Sequence, residues 1–93
     1  MKLLYKISVR GRVQGVGFRW SAVNEAVSRG IAGYVMNMPD GSVYIEAEGT
    51  RDQLESYLKW CHEGPRLSVV RSVDIEITDT KHYTDFRVMY QDR

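Results

Sequence analysis

The sequence predicts an α+β fold in which two helices cover one face of an antiparallel sheet. Two stretches repeat their apolar residues at helical spacing, the remaining ordered stretches alternate with a period of two, and the elements follow one another as β-α-β-β-α-β. That order is the split βαβ, or ferredoxin-like, sandwich. Right-handed crossovers that each leave room for an intervening strand give the spatial order 4-1-3-2, with a short fifth strand at an edge.

Leu3, Tyr5, Ile7 and Val9 alternate with Leu4, Lys6, Ser8 and Arg10 and mark strand one. Three glycines fall within Gly11 to Arg19, after which Ala22, Val23, Ala26 and Val27 recur at helical spacing until Gly30 offers a C-cap. Gly33, Val35 and Asn37 share one parity, and Val43, Ile45 and Ala47 share another beyond the Pro39-Asp40-Gly41 turn, so strands two and three form a hairpin. Thr50 and Gln53 make a capping box for helix two, whose stripe is Leu54, Tyr57, Leu58 and Cys61 and whose end falls near Gly64-Pro65. Val73, Ile75 and Ile77 alternate with Ser72, Asp74 and Glu76 in strand four, and Phe86 and Val88 mark the short fifth strand. Strands one and two run parallel, so the glycine-rich loop after strand one and Asn37 at the end of strand two are expected at the same edge of the sheet.

A chain of 93 residues is the size of one domain, 1–93. With 43% apolar and 27% charged residues, it is expected to be a soluble globule and not disordered or membrane-spanning. A net charge of +1 gives no global attraction for nucleic acid or anionic membrane, so an anion site has to be local. Cys61 has no second cysteine to pair with, and His62 and His82 do not complete a metal set, so no metal or other cofactor is expected. The first ten residues lack the apolar run of a signal peptide, and a cytoplasmic monomer is the expectation.

Gln14-Gly15-Val16-Gly17-Phe18-Arg19 lies where strand one hands over to helix one. Glycines at two of these positions let successive backbone N–H groups turn toward one point, and the helix N-terminus adds unpaired donors and a partial positive charge. Arg19 supplies a planar fork suited to two phosphate oxygens. Such a loop can equally be a plain tight turn, yet a cation beside the positive end of a helix dipole is misplaced unless an anion lies between them. Phosphate or carboxylate binding is therefore the favoured reading. The loop lacks the P-loop lysine and the third glycine of the dinucleotide fingerprint. Val13 stands where a phosphatase loop of the C-x₅-R kind has its nucleophilic cysteine, so no phosphocysteine forms.

Gly11 to Arg19, followed by Gly33-Tyr34-Val35-Met36-Asn37-Met38-Pro39-Asp40-Gly41-Ser42-Val43, closely resembles the two signatures of the acylphosphatase family. The similarity runs through essentially the whole chain. It implies hydrolysis of the carboxyl-phosphate anhydride of acyl phosphates without metal or cofactor, with inorganic phosphate as product and inhibitor. It further implies that Arg19 holds the phosphoryl group, that the backbone of Gly15, Val16, Gly17, Phe18 and Arg19 completes the cradle, and that Asn37 positions the attacking water. Trp20 stands where the family often has tyrosine, Arg66 replaces a frequent proline, and the segment from Tyr90 to Arg93 extends past the usual end.

Two other classes compete with the enzyme. A non-catalytic anion-binding or regulatory domain of the same fold, like the counterparts within larger carbamoyl-phosphate-using proteins, needs Arg19 and has no use for Asn37. An RNA-binding module would stack bases on strand aromatics such as Tyr5 and Tyr44, but the basic-glycine-aromatic signature is missing and Tyr5 has the parity the helices cover. Cys61 is expected to be a small buried residue, and His62 and His82 surface residues. Asp40 reads as a turn former, and Glu46, Glu48, Asp74 and Glu76 as a solvated sheet face.

Overall fold

The structure is a computed structural model that describes residues 1–90. In chain order the elements are β1 (Lys2–Arg12), α1 (Phe18–Ser28), β2 (Ala32–Asn37), β3 (Val43–Thr50), α2 (Arg51–Glu63), β4 (Val69–Thr78) and β5 (Phe86–Met89). The strands form one sheet in the order β4-β1-β3-β2-β5. The expected 4-1-3-2 core order and edge strand are both present. One pairing departs from the expected antiparallel sheet: β5 runs parallel to β2, in the register Gly33↔Phe86 to Met36↔Met89. The chain crosses from the β4 edge to the opposite edge before β5 begins, and that crossing sets its direction.

The core lies between the sheet and the helices. Tyr5, Ile7 and Val9 of β1 face Ala47, Ile45 and Val43 of β3 across the ladder, and all six are buried. Phe18, Ala22 and Ala26 of α1 and Leu54, Tyr57 and Cys61 of α2 close over them. Val27 departs from its expected place on the α1 stripe, being 62% exposed, because the buried face turns through Phe18 at the helix start. The capping box of α2 is formed, with Thr50 Oγ1 accepting from the Gln53 N–H and Gln53 Oε1 from the Thr50 N–H. On β4, Ile75 and Ile77 keep the core-facing parity yet remain 42% and 49% exposed, since that strand is an edge the helices cover only in part.

Glu46 and Glu48 correct the reading of a solvated sheet face: they are 3% and 5% exposed. The segment 79–85 crosses the face opposite the helices and brings donors to both carboxylates. Glu48 Oε1 accepts from the backbone N–H groups of Lys81 and His82, and Glu46 Oε1 accepts from Lys81 Nζ at 2.9 Å and Tyr83 Oη at 2.6 Å. Tyr44 Oη donates to Glu46 Oε2. Burial works to raise the Glu46 carboxyl, but the hydrogen bonds from Tyr44, Tyr83 and Lys81 and the Lys81 charge prevail and hold it at about 2. Asp74 and Glu76 are exposed, as the sequence implies.

Candidate active site

The loop from Val13 to Arg19 is pinned at both ends by apolar burial. Val13 is 1% exposed, and Phe18, equally buried, tilts its ring against Trp60 of α2 with centroids 5.2 Å apart. Between these anchors Gly15 and Gly17 adopt φ of 74° and 79°. A Cβ at either glycine would meet nothing within 4 Å. It is therefore the left-handed backbone and not crowding that calls for glycine there, and open space lies beside both residues.

Gly17 is the N-cap of α1, which has no side-chain cap and no acidic residue in its first turn. The first helical N–H groups have no partner within a helix, so without a cap they remain available to an outside acceptor. Arg19, half-buried in that first turn, has no carboxylate at ion-pairing distance among the described residues. Among the described residues, no hydrogen-bond acceptor engages the backbone N–H groups of Gly15 to Arg19 or the Arg19 guanidinium.

Asn37 ends β2 at the same edge of the sheet. It shares a cleft of about 410 Å³ with Gly15, Gly17, Phe18 and Arg19. The expectation that the loop and Asn37 meet at this edge is thus met in the geometry. Val16 is the exception among the five residues expected to form a cradle: its side chain packs against the core and it does not line the cleft. Asn37 Oδ1 is buried and accepts no hydrogen bond among the described residues. The turn after it is closed without its help, by Met38 N–H to the Ser42 carbonyl and by Ser42 N–H and Oγ to Asp40 Oδ1. Those Ser42 bonds, with the Arg10 guanidinium, hold the Asp40 carboxyl at about 2, which fits a turn former.

Sequence reasoning gave Gln14 no role of its own. Gln14 Nε2 donates to the carbonyl oxygens of Met38 and Ser42, at 2.8 and 2.9 Å, and so ties the loop to the turn behind Asn37. Glutamine beside glycine in a loop carries no local signal; only the fold brings the two carbonyls within its reach. Val23 and Asn24 of α1, Val88 of β5 and Tyr90 complete the cleft wall together with Trp20, which is 73% exposed. Arg66 is exposed and is not a cleft residue. Residues 91–93 of the expected extension lie outside the described residues. Cys61 is buried, and burial pushes its thiol up to about 12. His62 and His82 are both exposed.

Fold and cleft define a class: a ferredoxin-like α+β protein with an uncapped helix start and a glycine-built loop at the carboxyl ends of β1 and β2. The chain belongs to the acylphosphatase family, whose family model matches residues 5–88, and it is an enzyme of that family. It is 49% identical over 90 residues to the acylphosphatase of Thermotoga maritima, covering 97% of this chain and 99% of that protein. The crystal structure of acylphosphatase from Bacillus subtilis superposes with a TM-score of 0.93 at 38% identity, covering 95% of this chain and 99% of that one. The crystal structure of T. kodakarensis HypF also matches, at 28% identity and a TM-score of 0.85, over 99% of this chain and 12% of that much longer one.

Proposed function

We propose that the cleft hydrolyses acyl phosphates by direct attack of water on phosphorus. Arg19 and the backbone N–H groups of Gly15 to Arg19 hold the phosphoryl oxygens, and Asn37 orients the water. The observation that carries the reading is the convergence on one cleft of a guanidinium with no carboxylate partner and a buried side-chain oxygen, Asn37 Oδ1, that accepts no hydrogen bond among the described residues. A binding-only domain gains nothing from the second group.

The chemistry demands little more. The water oxygen forms a bond to phosphorus as the bond from phosphorus to the acyl oxygen breaks, and the carboxylate leaves with the electron pair. Carboxylate is a good leaving group, so no strong general acid is needed, and positioning with charge stabilisation supplies the rate. Asn37 accepts a hydrogen bond from the water and cannot remove its proton; the proton passes to a phosphoryl oxygen of the substrate. Among the described residues the cleft offers no carboxylate, imidazole or thiol, so the proposed mechanism uses neither a protein base nor a metal-ligand set.

Hydrolysis of acetyl phosphate by the parent, Arg19→Ala and Asn37→Ala proteins tests the reading. Arg19→Ala is expected to lose affinity for inorganic phosphate as well as turnover, and Asn37→Ala turnover alone. Parent-like kcat/KM in a folded Arg19→Ala protein would remove the cradle from the mechanism.

A further inference from the structure

The proposed function leaves unexplained what holds Arg19 when the cleft is empty. The residue occupies the first turn of α1, where the helix dipole repels a cation, and no carboxylate of the described residues offsets that repulsion. An arginine in this setting samples many rotamers, and ordering it on binding weakens affinity. A carboxylate would fix the side chain, but it would occupy the donors meant for phosphate.

Tyr90 meets both requirements. The guanidinium carbon of Arg19 lies over its ring, 5.4 Å from the centroid, within cation–π range. An aromatic ring attracts the charge through its electron-rich face and offers no acceptor oxygen along the guanidinium edge, so it does not compete for the fork as a carboxylate does. The fold delivers this ring to the site: the last pair of the parallel β2·β5 ladder is Met36↔Met89, so Asn37 and Tyr90 are the next residues on neighbouring strands that run the same way. Burial does not account for the placement, because Tyr90 is 73% exposed and still lines the cleft.

We infer that Tyr90 is a positioning residue, holding the Arg19 guanidinium over its ring in readiness for the phosphoryl group. The inference rests on the phosphate-holding role proposed for Arg19. Tyr90→Phe keeps the ring, whereas Tyr90→Leu keeps apolar bulk and removes the π face.

The experiment measures inorganic phosphate binding by calorimetry, kcat and KM for acetyl phosphate, and melting temperature. It compares the parent, Tyr90→Phe, Tyr90→Leu, Arg19→Ala, and Arg19→Ala combined with Tyr90→Leu. An exposed cation–π contact corresponds to about a two- to fivefold change in affinity. Tyr90→Leu is expected to weaken phosphate binding and raise KM by that factor with an unchanged melting temperature, Tyr90→Phe to match the parent, and Tyr90→Leu to add nothing once Arg19 is alanine. Parent-like phosphate binding in Tyr90→Leu beside a weakened Arg19→Ala would overturn the inference alone, as would an equal loss from Tyr90→Leu in both backgrounds. Parent-like binding in Arg19→Ala would overturn the cradle reading and this inference with it.

Discussion

Replacing Asn37 by alanine separates catalysis from stability in a way the structure makes quantitative. The turn after Asn37 is closed by bonds among Met38, Asp40 and Ser42. Alanine at position 37 therefore removes none of them. The space it leaves opens onto the cleft and is not a sealed void, so the usual cavity penalty is small. Asn37→Ala is therefore expected to stay within about 1 kcal/mol of the parent, which for a domain this size is roughly 4–8 °C in melting temperature. Turnover is not spared. Misplacing the attacking water is expected to lower kcat on the order of a thousandfold, or about 4 kcal/mol of transition-state free energy. Thermal melting, acetyl phosphate kinetics and the inhibition constant for inorganic phosphate, all on one preparation, test the set, with the last expected at its parent value. Undiminished kcat would refute water positioning, and a melting temperature lower by more than about 8 °C would refute the argument that the turn closes without Asn37.

Arg19→Lys is expected to recover little of the activity lost in Arg19→Ala, because a point charge does not reproduce a bidentate fork; parent-like competitive inhibition by phosphate in the lysine protein would contradict this. Gln14→Ala removes both hydrogen bonds between the loop and the Asn37 turn and leaves two carbonyls without that partner. We expect it to lose about 1–3 kcal/mol of stability in urea titration, with a larger fall in kcat than in phosphate affinity. Glu46 titrates at about 2 when folded against an ordinary 4.5, so its contribution to stability is complete above the ordinary value and lost as pH falls toward the lower one. Urea titrations between those values are expected to show a decline in the parent that is flattened in Glu46→Gln; identical slopes would place the acid sensitivity elsewhere.

The legible parts of this fold are those whose cause is local. The alternation in Leu3 to Val9, the Thr50 and Gln53 box and the Pro39-Asp40-Gly41 turn each carry their physics within a few residues, and each element formed where those signals lie. That Gly15, Gly17 and Arg19 line one cleft was legible because glycines at a strand-to-helix handover and a cation at a helix start both stand out locally. The parallel pairing of β5 was not, since nothing within Phe86 to Met89 encodes its neighbour. Gln14 and Tyr90 were likewise silent, each acquiring its contacts from residues distant along the chain. Glu46 and Glu48 misled for the same reason: acids at alternate positions of a strand look solvated until a distant segment covers them.

That covering segment has a bearing on how the cleft behaves when it is empty. β5 is four residues long and borders a single strand, a combination that frays readily. The chain leading into it is moored by Lys81, His82 and Tyr83 to carboxylates on β3, at the middle of the sheet. Peeling β5 away therefore means breaking bonds on the face opposite the helices as well as the ladder to β2. Val88, and Tyr90 just beyond the strand, share this tether, so the wall they give the cleft opens only with the centre of the sheet. Amide protons of β5 should then exchange on the timescale of global unfolding and not of local fraying. The cleft is built before any ligand arrives, and the two acids that keep it so lie on the far side of the sheet.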